Sequence, residues 1–200
     1  MNENYNIEQL HFLVVDDNKH MSMLVKNLLH ALGSRQVAEA NDAADAFAEL
    51  THFPADIIIT DYHMQPLDGL DFVRLVRTGS DSPNPFVPII MLSGHTEMKK
   101  IMEARDAGAH EYLAKPISAR SLYARINSII SRPREFIKTK TFFGPDRRRR
   151  AVSFNGSDRR VADASAAAPG AAAASAPAMA DAGEDAGVDD GDAIGHFFSN

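Results

Sequence analysis

The chain has 200 residues, no cysteine and no tryptophan, and a formal net charge of −6. A disulfide framework and a thiolate metal site are excluded, and no apolar run approaches the ~20 residues that cross a bilayer. The polar N-terminus MNENYNIEQL lacks the basic and apolar regions of a secretory signal, so a cytoplasmic protein with no membrane contact is expected. The charge is unevenly spread. Residues 1–130 carry a net −6, residues 131–160 a net +7 and residues 161–200 a net −7. This describes an acidic body, a basic strap and an acidic tail.

In chain order, the apolar run Phe12 to Val15 reads as a first strand. Met21, Leu24, Val25, Leu28, Leu29 and Leu32 recur at helical spacing and stop at Gly33. Gln36 to Ala40 is a weak second strand. Asn41 or Asp42 caps a second helix, with Ala44, Phe47, Ala48 and Leu50 on its inner face. Asp56 to Thr60 is a third strand. Leu70 to Arg77 is a short helix with Leu70, Val73 and either Val76 or Leu75 turned inward. A Gly/Ser/Pro-rich loop leads to a fourth strand, Val87 to Leu92. Thr96 is expected to cap a fourth helix that ends near Gly108. Glu111 to Ala114 is a fifth strand, and Ser118 caps a fifth helix through Ile130. Strand and helix alternating five times predict a parallel sheet with helices on both faces, and nothing after residue 130 continues the pattern.

The strand ends carry the chemistry. Asp16 and Asp17 follow the first strand, Asp61 the third, Ser93 the fourth and Lys115 the fifth. In open parallel sheets ligands bind at this carboxyl edge. Carboxylates can act as nucleophiles toward phosphorus. Asp61 is the candidate acceptor, and Asp17, Asp61 and the backbone carbonyl of His63 are suited to hold Mg²⁺, with Asp16 reaching it through a bound water. Lys115 shares the charge of the transferring group. The Ser93 hydroxyl and the backbone N–H groups of His63 and Gly94 are donors for its oxygens. A lysine before Pro116 at a strand end predicts a cis peptide that aims the ammonium inward.

These motifs resemble the receiver domain of two-component response regulators, the CheY-like family. The matching residues are Asp16-Asp17, Asp61, Asp68-Gly69, Ser93-Gly94 and Lys115-Pro116. Tyr112 falls where the family often has its switch aromatic, so Ser93 and Tyr112 form the expected switch pair. The resemblance covers residues 9 to 131 and implies a flavodoxin-like sheet in the order 2-1-3-4-5. It also implies phosphotransfer from a histidine kinase or phosphotransfer protein, and an output partner on the face of the fourth helix, fifth strand and fifth helix. One departure is Gln65 between Met64 and Pro66, which is expected to alter loop shape and not metal ligation. His63 and His95 occupy positions that in the family help to set the rate of dephosphorylation.

Three segments are therefore expected: a receiver at 1–131, a basic Arg/Phe-rich extension at 132–160 and an acidic Ala/Gly/Asp-rich tail at 161–200. The tail composition predicts disorder. In the extension, Arg147, Arg148, Arg149 and Arg150 follow Phe142 and Phe143. Four readings stay open: a solvated segment whose phenylalanines pack on the receiver, a nucleic-acid contact, a cyclic dinucleotide site, or autoinhibition. The favoured function is a stand-alone response regulator, a signalling domain that catalyses only its own phosphorylation and dephosphorylation. The alternatives are an adaptor whose extension binds a ligand or nucleic acid under control of the receiver, and a haloacid dehalogenase-type phosphohydrolase. The adjacent acids after the first strand, in place of DxD, argue against the phosphohydrolase.

Overall fold

The computed structural model describes residues 6–139 and 141–147. Five parallel strands, β1 (His11–Val15), β2 (Gln36–Ala40), β3 (Ile57–Asp61), β4 (Ile89–Ser93) and β5 (Glu111–Ala114), alternate with α1 (Lys19–Ala31), α2 (Ala43–Leu50), α3 (Gly69–Thr78), α4 (Met98–Ala107) and α5 (Ala119–Ser131). The sheet order is β2-β1-β3-β4-β5, as the resemblance implies. No helix among the described residues is long and apolar enough to cross a membrane.

Side-chain alternation sends each strand's residues to two cores. Phe12, Val14, Ile57, Ile59, Ile90, Leu92 and Leu113 face one layer, where Val25 and Leu29 of α1 and Leu122 and Ile126 of α5 cover them. Leu13, Val15, Ile58, Ile89 and Met91 face the other, against α2, α3 and α4. Central strands buried on both faces read as continuous apolar runs, and β3 and β4 are buried at every residue.

Several sequence expectations need correction. The inner face of α2 is Ala43, Ala46 and Leu50, with Phe47 packed beside them, and Ala44 and Ala48 are exposed. The helix begins directly after its cap Asp42, which turns the buried stripe by about one residue. In α3 Val76 is buried and Leu75 is 41% exposed. Thr96 does not cap α4. The N-cap is Glu97, with no side-chain cap hydrogen bond. Strand β3 runs one residue further than expected, so Asp61 is its last member, and β4 starts two residues later and includes Ser93.

After α5 the chain forms an antiparallel hairpin, β6 (Phe136–Lys138) and β7 (Phe143–Pro145). It lies at the amino ends of β4 and β5. Phe136 packs against Phe86, Phe143 and His110, and Phe143 also meets Phe86. Beneath them Arg77, 3% exposed, donates from Nε to the Gly108 carbonyl at 3.1 Å and from Nη1 to that of Pro85 at 2.8 Å. Its guanidinium also lies 5.3 Å from the Phe136 ring centroid. Burial pushes Arg77 down to about 9, so it stays charged at neutral pH. Burial, followed by the positive charges of Arg77 and Arg134, pushes His110 down to about 3. Its Nδ1 accepts the Ile89 N–H at 3.3 Å, as a neutral ring does. Gly108 turns the chain at φ 109, a region that favours glycine.

Candidate functional site

Parallel pairing brings four strand ends to one rim. The backbone ladder continues past the strands: Asp16 N–H donates to Ala40, Tyr62 N–H to Leu92 and Lys115 N–H to Ser93, the last two at 2.8 Å. These bonds fix where the side chains of Asp16, Asp61, Ser93 and Lys115 emerge. The Lys115-Pro116 peptide is cis, and Lys115 Nζ lies 2.9 Å from Asp61 Oδ1 and 3.5 Å from Asp16 Oδ2. Carboxylate oxygens of Asp16, Asp17 and Asp61 all lie within 4.8 Å of one another.

The three acids differ in environment. Asp17 is exposed, whereas Asp16 is 1% and Asp61 7% exposed. Asp16 Oδ1 accepts the Asn18 N–H at 2.9 Å, while its buried Oδ2 makes no hydrogen bond and faces the Lys115 ammonium at 3.5 Å. Desolvation is the main cause that raises the Asp16 pKa, with Asp61 adding repulsion and the Asn18 N–H and Lys115 opposing. An oxygen-only donor set, one of whose buried oxygens carries no hydrogen bond, fits a hard divalent cation.

The loop after Asp61 is held by close backbone contact. Gly69 N–H donates to the Tyr62 carbonyl at 2.9 Å. A Cβ at Gly69 would fall 2.0 Å from the Asp61 carbonyl oxygen, so only glycine fits there. The Gln65-Pro66 peptide is cis. At Gly94 a Cβ would meet nothing within 4 Å, which leaves the rim open beside Ser93.

Comparison with known proteins agrees with the fold. The model of the response regulator receiver domain matches residues 12–127. The chain belongs to that family. The receiver is 35% identical to the chemotaxis protein CheY of Pseudomonas aeruginosa over 120 residues, which is 60% of this chain and 95% of that protein. It is 32% identical to CheY-3 of Vibrio cholerae over 125 residues, 62% of this chain and 95% of the relative. A solved structure of Vibrio cholerae CheY4 superposes with a TM-score of 0.55 at 31% identity, covering 60% of this chain and 98% of that one.

In this receiver the expected switch residues are joined through one loop residue. Ser93, fully buried, accepts the His95 N–H on its Oγ at 3.1 Å. Tyr112 donates its hydroxyl to the His95 carbonyl at 2.6 Å. His63 and His95 stand ring to ring, 5.1 Å between centroids. Of the four arginines expected to contact an anion, Arg147 is described. It pairs with Asp106 at 3.4 Å and stacks 4.0 Å from the Phe142 centroid. Arg148, Arg149 and Arg150, and the tail at 161–200, lie outside the described residues.

Sequence reading missed Tyr62. It is 2% exposed and donates its hydroxyl to Glu103 at 2.8 Å while accepting from Lys100 Nζ at 3.1 Å. Burial is the main cause that raises its pKa, which keeps the phenol a donor. A bulky aromatic directly after the acceptor was the available signal. Its partners on α4 could not be found without the fold.

Proposed function

We propose that Asp61 accepts a phosphoryl group from a histidine kinase or phosphotransfer protein, and that the receiver then signals through phosphorylation-dependent protein contacts on α4, β5 and α5. The observation that carries the reading is the Lys115 ammonium 2.9 Å from the Asp61 carboxylate, on a rim where three acids converge. Magnesium would be held by Asp17, Asp61 and the His63 backbone carbonyl, with Asp16 reaching it through water, and the buried Oδ2 of Asp16, which carries no hydrogen bond, supports that role. Bound there, the ion supplies charge neutralisation to the phosphoryl oxygens.

The chain's own groups do the rest. An Asp61 oxygen attacks phosphorus, the P–N bond to the donor imidazole breaks, and its electron pair stays on the ring nitrogen. Lys115 offsets the charge of the acyl phosphate. Ser93 exchanges its bond with the His95 N–H for one to a phosphoryl oxygen, and the N–H groups of His63 and Gly94 donate to the others. Because His95 also holds the Tyr112 hydroxyl, movement of this loop frees Tyr112 and remodels the output face. This is a shift between two populations of one fold. Autophosphorylation and dephosphorylation are the only chemistry proposed.

The alternative in which the extension binds a ligand or nucleic acid draws less support from the described residues, because Phe136 and Phe143 pack inward and Arg147 is engaged by Asp106 and Phe142. Incubation with acetyl phosphate and Mg²⁺ tests the reading. Intact mass should rise by one phosphoryl group in the wild type and not in Asp61→Ala. An equal gain in both proteins would refute it.

A further inference from the structure

Helix α4 is thinly anchored. It buries only Ala104 and Ala107, its first turn has no side-chain cap, and Met98 and Met102 are exposed. Its carboxyl end is held differently, because three parts of the chain meet there. From α3, buried Arg77 donates from Nε to the carbonyl of Gly108, the residue that caps α4. From β7, Gly144 lies so close that a Cβ on it would stand 3.0 Å from the Gly108 Cα, and a Cβ on Gly108 would stand 3.3 Å from the Phe143 carbonyl oxygen. Just past β7, Arg147 pairs with Asp106 in the last turn of α4 at 3.4 Å. Apolar packing seats the hairpin in this position. Phe136 and Phe143 close on Phe86, and Phe136 covers the Arg77 guanidinium. Arg77 is thus shared between the cap of α4 and the underside of the hairpin.

We propose that the hairpin is a clamp on the carboxyl end of α4 that holds the receiver in its unphosphorylated arrangement, so that release of the hairpin and phosphorylation of Asp61 favour one another. The proposal rests on the receiver reading and adds a regulatory element built by the segment after α5. Its sign follows from the state in which the contacts are made. Ser93 Oγ is occupied by the His95 N–H, and the Tyr112 hydroxyl by the His95 carbonyl. Acceptance of a phosphoryl group breaks that arrangement. A contact that seats α4 in the first state and loosens in the second opposes the change by its difference in energy. Two glycines back to back leave no compliant side chain between the helix cap and β7, so a shift of the end of α4 is passed to the hairpin. The Arg147–Asp106 pair is partly exposed on both sides and adds little. The glycine contact and Arg77 carry the clamp. Such coupling is reciprocal: phosphorylation loosens the hairpin, and drawing the hairpin away primes Asp61.

The test uses the full chain and beryllofluoride with Mg²⁺ as the phosphoryl analogue. Amide exchange at Phe136–Lys138, Phe143 and Gly144 should quicken when the wild type is saturated with the analogue. Gly144→Ala, which pushes β7 off the Gly108 cap, should bind the analogue about fivefold more tightly. A crosslink supplies the opposite sign. The chain has no cysteine, so Asp106→Cys combined with Arg147→Cys and bridged by a short bismaleimide pins the hairpin to α4. The bridged protein should bind the analogue about fivefold more weakly than the same protein unbridged. That comparison is made within one preparation and stands even if Gly144→Ala does not fold. Analogue affinity indifferent to the bridge, or hairpin exchange unchanged by the analogue, would overturn the proposal and leave the hairpin a structural cover. A wild type that neither binds beryllofluoride nor gains mass from acetyl phosphate would instead sink the receiver reading, and this proposal with it.

Discussion

The Tyr62 hydroxyl donates to Glu103 across 2.8 Å, which ties the residue next to the phosphoacceptor directly to helix α4. Lys100 completes the group, 3.3 Å from Glu103 and 5.1 Å from the Tyr62 ring centroid. Apart from Ala104 and Ala107, α4 buries little, and its N-cap is unsupported by a side chain. This polar clasp is therefore a second route from the acceptor loop to the output face, beside the Ser93–His95–Tyr112 link. Tyr62→Phe should keep beryllofluoride-induced amide shifts at residues 93–95 and lose most of those at 98–107. Unchanged shifts along α4 would exclude the route.

The acid cluster sets stability against metal binding. Because the pKa of Asp16 is raised in the fold, the native state keeps a proton that the unfolded chain has released. Metal-free stability should fall as pH rises from 3.8 through the raised native value. Asp16→Asn should flatten that slope, stabilise the metal-free protein by about 1 kcal/mol and weaken Mg²⁺ at least ~10-fold. Urea melts across pH with and without Mg²⁺ check all three.

Lys115 is expected to act on the reaction more than on the fold. Lys115→Ala should slow phosphorylation by acetyl phosphate roughly 10²-fold and leave the thermal midpoint within a few degrees of wild type. Time-resolved intact mass measures the first effect and calorimetry the second.

His110 has the opposite sign to Asp16. Its native pKa is lowered to about 3 from 6.5, so between those values the unfolded chain binds the extra proton. Stability should be fully present above pH 6.5 and decline on acidification, by up to ~1.4 kcal/mol per pH unit from this residue. His110→Gln, which retains an acceptor for the Ile89 N–H, should remove most of that dependence between pH 6.5 and 4.

Gly69→Ala forces a Cβ to 2.0 Å from the Asp61 carbonyl oxygen. The backbone must yield, at a cost of roughly 1–3 kcal/mol and with displacement of the acceptor. Gly94→Ala meets nothing within 4 Å and should be neutral to stability. Denaturant midpoints of the two variants should differ accordingly.

The sheet and the rim were legible because their signals are local. Apolar runs such as Ile57-Ile58-Ile59 mark buried strands, and each ends in a polar residue that a parallel sheet must bring to one edge. The register of α2 was not legible, since a stripe of alanines has almost no periodic contrast and the cap fixes it. Tyr62, Arg77 and His110 were hidden for another reason. Their partners lie 41, 31 and 21 residues away in the chain, and a buried arginine looks like a surface one until its carbonyl acceptors are in view. The hairpin escaped because strands of three residues carry too little pattern to read.

The aromatic lid over Arg77 has a practical corollary for anyone preparing a minimal fragment. A cut at residue 131 would remove the two rings that contact the already half-exposed Phe86 and strip a buried cation of the ring stacked on it, so the shortened molecule should be sticky and frail in ways that say nothing about signalling. Boundaries drawn beyond residue 147 avoid that artefact.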